Sequence, residues 1–105
     1  MALPELIRSL RKDLGAALLA VIVDAPTARV VDDWARGKPA PEPQAEQRLR
    51  CTYEVVRTLR AWEASDTIRA WFVGMNPLLG DTSPALMLAK DPAAVLEVAH
   101  GLVAM

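Results

Sequence analysis

The side chains in this chain that could do chemistry are few and scattered. The one histidine is His100 and the one cysteine is Cys51. A metal centre needs several Cys, His or carboxylate ligands at ligand spacing, and a nucleophile needs a base held beside it. Neither set can be assembled around these two residues. Cys51 falls within a predicted long helix, where a semi-buried small side chain is the ordinary role for a cysteine. Asp32 and Asp33 are adjacent, so on a helix their carboxylates diverge and do not form an acid–base pair. The sequence has no phosphate-cradling glycine loop and no dinucleotide fingerprint. The expectation is a protein that is not an enzyme, uses no metal or cofactor, and acts by binding.

Charge and apolar surface are then the informative features. The 105 residues carry a formal net charge of −1, too little to draw nucleic acid by bulk charge. The charge is uneven, with a mildly basic front and an acidic back after about residue 60. Residues 13–37 have the outline of a helix-turn-helix: a helix, the turn "DAPT" at 24–27, and a short helix "ARVVDDWAR" closed by Gly37. Read this way, Val31, Trp34 and Ala35 face the core. Arg29, Arg36 and Lys38 are the candidate DNA contacts. Asp32 and Asp33 stand on the same outward face, within reach of Arg29 and Arg36 at i+3 and i+4. That face largely neutralises itself and would press carboxylates toward phosphates, so DNA is a disfavoured partner. Arg48, Arg50, Arg57 and Arg60 on the next helix could touch a nucleic-acid backbone or serve as an ordinary solvated surface.

The elements that position these groups read as helices throughout. A first helix from Pro4 reaches about Lys12, and a second covers about 13–23, with Leu10, Leu14, Ala17, Leu18 and Val21 on one face. Thr27 is a candidate N-cap for the third. The proline-rich connection "GKPAPEP" (37–43) leads into a long helix of about 43–63, striped by Leu49, Tyr53, Val56 and Leu59. Ser65 or Asp66 is expected to cap the helix "TIRAWFV", which ends at Gly74. Ser83-Pro84 and Asp91-Pro92 each place a capping side chain before an N1 proline. Between them, "NPLLGDTSPALML" (76–88) mixes turn residues with five large apolar ones. We read it as a tight corner in which Leu78 and Leu79 tuck back and Leu86, Met87 and Leu88 meet the core. The last helix carries Val95, Val98, Ala99, Leu102 and Val103 on one face. The fold class is all-α: a helix-turn-helix N-terminal part, residues 1–62, packed on a C-terminal helical part, residues 63–105.

Arg8, Arg11 and Lys12 precede a ten-residue apolar run, which imitates a secretory signal. Asp13 at the head of the run, Glu5 upstream and the helical spacing favour a folded helix instead. With a lone cysteine and no run of membrane-spanning length, the expectation is a cytoplasmic protein with no membrane partner.

Residues 68–103, "IRAWFVGMNPLLGDTSPALMLAKDPAAVLEVAHGLV", resemble the toxin-binding domain of Xre/MbcA/ParS-type antitoxins. The resemblance rests on Trp71, Phe72, Asn76, Pro77, Leu79, Gly80, Pro84 and Leu88 in that order and spacing. "VVDDWARGKPAPEPQAEQRLRCTYEVVRTL" is similar, more weakly, to the reading helix and following helix of their Xre-like region. The resemblance implies an antitoxin of a type II toxin–antitoxin pair. Its partner would be an RES-domain toxin that depletes NAD, and it would tend to dimerise and cover the toxin's active-site entrance with its C-terminal region. Family members expected to bind DNA carry arginines where Asp32 and Asp33 stand, so this chain departs from the pattern there. The candidate toxin contacts are Asn76, Leu79 and Gly80 of the turn and Glu97, His100, Val103 and Met105 of the last helix. Of these, Val103 and Met105 would supply apolar contacts, and Glu97 and His100 would reach cationic groups.

Overall fold

Prolines and capping side chains set most of the helix starts. The computed structural model describes residues 1–104. Within them lie α1 (Leu3–Leu14), α2 (Ala16–Val23), α3 (Ala28–Ala35), α4 (Pro43–Arg60), α5 (Ser65–Val73), a 3-10 turn (Pro77–Leu79), α6 (Pro84–Lys90) and α7 (Pro92–Ala104). Proline is the first residue of α4, the 3-10 turn, α6 and α7 and the second of α1, positions where its missing N–H leaves no bond unmade. Ser83 caps α6 by accepting from the Leu86 N–H at 3.3 Å, and Asp91 accepts from the Ala94 N–H at 3.2 Å. No strand occurs among the described residues, so the class is all-α as expected.

Local details differ from the sequence reading. The break between the first two helices falls at Gly15, not at Lys12, because Gly15 has φ 82° and ψ 155°, a region open essentially to glycine alone. The break rotates α2, so Ala17 and Val21 are exposed while Leu19, Ala20, Ile22 and Val23 are buried. Ser65 is not a cap. Ala64 holds that position, and the Ser65 hydroxyl donates to Asp13 Oδ1 at 2.7 Å. Thr27 holds the N-cap position of α3 but makes no capping hydrogen bond. The long helix closes at Arg60, with the N–H groups of Trp62 and Glu63 both turned back onto the Leu59 carbonyl.

One hydrophobic core draws on both segments. Its largest fully buried side chains include Phe72, Ile7, Leu10, Leu19, Ile22 and Leu49. The pairs α4 and α7, α2 and α3, and α6 and α7 pack on each other, and α1 lies against α3, α4 and α5. The radius of gyration, 12.8 Å, matches the value of about 13 Å expected for a compact chain of this length. Each large apolar side chain taken from water contributes about 1.5–3 kcal/mol. No helix among the described residues is long and apolar enough to cross a membrane.

Arginines tie the helices together. Arg8 donates to the Ala35 carbonyl at 2.6 Å and Arg48 to the Ala89 carbonyl at 3.1 Å, meeting the unpaired carbonyls at the ends of α3 and α6. The main electrostatic junction is Asp13, buried where α1, α4 and α5 converge. Its carboxylate accepts from Arg60 Nε at 3.0 Å, from Arg60 Nη2 and from the Ser65 hydroxyl, while Arg69 Nε donates to its backbone carbonyl at 3.2 Å. In the sequence, Asp13 reads merely as the head of an apolar run.

Candidate protein-binding site

The corner at 76–82 is closed by short-range hydrogen bonds. Asn76 Oδ1 accepts from the Leu78 N–H at 2.9 Å, and the Asn76 carbonyl accepts from the N–H groups of Leu79 and Asp81 at 2.9 and 3.0 Å. The Asn76 N–H donates to the Thr82 carbonyl at 3.2 Å. Gly80, at φ 67°, and Asp81, at φ 62°, are both left-handed, and they turn the chain through this corner. The two adjacent leucines are thereby sent opposite ways: Leu79 is 6% exposed and Leu78 is 72% exposed. The expectation that both tuck back therefore fails for Leu78. Leu86 is also on the surface, whereas Leu88 is buried.

The candidate toxin contacts separate accordingly. Leu79 is core, so its side chain is not part of the surface. The Asn76 carboxamide oxygen is occupied within the corner, and Gly80 is exposed and shapes the turn. Glu97 and His100 are exposed on α7. Val103 is half-buried, and Met105 lies outside the described residues.

Val103 lines a groove that the sequence reading missed. Leu59 and Trp62 at the end of α4, Thr67, Ile68 and Trp71 of α5, and Leu102 and Val103 of α7 enclose about 370 Å³, with Glu63 the only charged residue in the lining among the described residues. Trp62 is 69% exposed. The ring of Trp71 meets Phe72 edge-on, with centroids 5.2 Å apart and planes at 89°, so the deeply buried Phe72 fixes one wall of the groove. In the sequence, Trp71 stands out only through the antitoxin resemblance, and Trp62 has no evident role. The available signal was a tryptophan beside a carboxylate near the end of the long helix. A second, wider hollow on the α2–α5–α6 side exposes Val21, Val73, Met75 and Leu86 among Arg48, Lys90, Asp24 and Asp81.

The candidate DNA contacts Arg29, Arg36 and Lys38 are all exposed, on or just after α3. The ion pairs there agree in part with those expected from spacing: Asp33–Arg36 forms, and Asp32 finds a partner on another helix. Asp32 is taken by Arg11 of α1 at 2.7 Å, and Asp33 pairs with Arg36 at 3.0 Å. The four arginines of α4 are engaged within the chain: Arg48 with Ala89, Arg50 with Glu46, Arg57 with Glu54 and Arg60 with Asp13.

Cys51 donates its thiol to the Pro92 carbonyl at 3.4 Å, joining α4 to the start of α7. Burial pushes its pKa above the usual thiol range, and the nearby Glu54 charge adds to the shift. At neutral pH the thiol is therefore protonated and weakly nucleophilic. Among the described residues, no three His, Cys, Asp or Glu side chains converge on a point that could hold a metal ion. No family model matches the chain, and no curated protein or solved structure does either.

Proposed function

We propose that this chain is an antitoxin of a type II toxin–antitoxin pair. It neutralises an RES-domain, NAD-depleting toxin in the cytoplasm by binding it and occluding its active-site entrance. The observation that carries this reading is the distribution of exposed large apolar side chains. Only Met1 and Val21 precede α4, whereas Trp62, Val73, Met75, Leu78, Leu86 and Leu102 follow it. Clustered exposed apolar side chains on a small protein mark places where another protein binds. Five of those six, Trp62 excepted, lie within residues 68–103, whose sequence resembles the toxin-binding domain. The test is co-expression with the product of the adjacent reading frame. Co-purification and restored growth support the proposal, and separation of the two proteins with continued toxicity removes it.

An autorepressor that reads DNA through α3 is the second reading. Both aspartates of that helix are paired, so Arg11, Arg29, Arg36 and Lys38 set four cations against two carboxylates. Binding of the chain to its own promoter should then weaken steeply with salt. No shift at low salt, with or without the partner, excludes it.

A further inference from the structure

We infer that the groove walled by Trp62, Trp71, Leu102 and Val103 seats a basic amphipathic helix of a partner protein. One apolar side chain of that helix enters the groove, and an arginine or lysine one turn away lies against Trp62 and Glu63. The inference rests on the reading that this part of the chain meets a protein, and it specifies the chemistry of that protein's contact segment.

Charge decides between occupants. Among the described residues the lining is apolar apart from Thr67 and Glu63, and no cation contributes to it. The end of α4 borders the groove, and the carbonyls at a helix C-terminus carry partial negative charge. The opposite dipole, at the start of α5, is offset by Asp66 in its first turn. Of the arginines on the neighbouring turns, Arg57 is paired with Glu54 and Arg60 with Asp13, and Arg69 is directed away to the Asp13 carbonyl. A guanidinium or ammonium group over an indole face and beside a carboxylate gains from both. A second copy of the chain would instead bring Glu63 against another acidic rim with no cation to meet it, so self-association through this face is disfavoured.

The probes are a capped helical peptide presenting leucine and arginine at i and i+4, and its twin with glutamate for arginine. The readout is the indole N–H resonances of the intact chain. Trp34, only 9% exposed and outside the groove lining, serves as internal reference. The arginine peptide should shift the Trp62 and Trp71 signals and leave Trp34 in place, and the glutamate twin should not. Trp62→Ala should weaken binding by at least about tenfold. Glu63→Gln should weaken it about three- to tenfold and flatten its salt dependence. Equal binding of the two peptides overturns the inference, as does no shift at millimolar peptide. A concentration-dependent dimer that Trp62→Ala abolishes also overturns it, because a second copy would then be the occupant. Co-purification with the toxin but no discrimination between peptides removes this inference and leaves the antitoxin reading standing. The reverse pattern removes the reading and leaves the groove.

Discussion

Replacing Asp13 or Arg60 tests the junction that holds α1, α4 and α5 together. The Asp13 side chain is 7% exposed and that of Arg60 35%, so the two ends of the pair sit in different surroundings. Removing one partner of a buried pair costs about 3–5 kcal/mol. After Asp13→Ala, Arg60 can still turn to water and keeps the Ser9 hydroxyl at 2.9 Å and the Ser9 carbonyl at 3.3 Å. Only Ser65 loses a partner outright, which places this variant at about 2–3 kcal/mol, below the full buried-pair loss. Arg60→Ala instead strands a buried carboxylate with one hydroxyl donor, which places it at about 3–4 kcal/mol. The double variant should fall short of the sum by about 1–2 kcal/mol. Urea unfolding followed by far-ultraviolet circular dichroism, with an unchanged m-value, measures all three. A loss below about 1 kcal/mol for Asp13→Ala would contradict the reasoning, since that is the range of an exposed pair. So would additive single losses.

Three further outcomes follow from local features. Gly15→Ala forces a side chain into a glycine-only conformation although nothing crowds the added carbon, so it should destabilise by about 1–3 kcal/mol through backbone strain alone. Adjacent leucines should behave oppositely in the same unfolding assay. Leu79→Ala should cost about 2–4 kcal/mol, and Leu78→Ser should change stability by less than about 0.5 kcal/mol. Native Cys51 should react slowly with iodoacetamide at pH 8 and quickly in urea. Because burial raises its pKa in the folded state, its contribution to stability is complete below the ordinary thiol range of about 8.5 and declines as pH rises through the folded value. Equal labelling rates in native and unfolded protein would show that the thiol is not shielded.

Features set by neighbours along the chain were legible in the sequence. Ser83-Pro84 and Asp91-Pro92 announce helix starts because a cap and an N1 proline act within one turn. Val31, Trp34 and Ala35 were readable as a buried face because α3 is short, amphipathic and flanked by charge. Features set by distant partners were not legible. Asp13 meets Arg60 and Ser65, some fifty residues away, and nothing local distinguishes it from a surface aspartate. α2 is apolar along its whole length, so its sequence offers no polar side from which to choose a face, and Gly15 decides the rotation. The directions of Leu78 and Leu79 depend on two left-handed residues that follow them. The groove was hidden for a similar reason, since Trp62, Trp71 and Val103 belong to three separate stretches of chain that only the packed fold brings together.

The antitoxin reading is tested most directly by co-expressing the adjacent reading frame with the intact chain and with a chain lacking residues 100–105. None of His100–Ala104 is buried, and Leu102 and Val103 form one wall of the groove, so the deletion removes surface and leaves the core. The expected result is co-purification and full growth with the intact chain. With the shortened chain, neutralisation should be lost or sharply weakened, although its circular dichroism and unfolding midpoint stay close to those of the parent. Full neutralisation by the shortened chain would contradict the C-terminal contact, and failure of the intact chain to bind or to protect would contradict the antitoxin function itself.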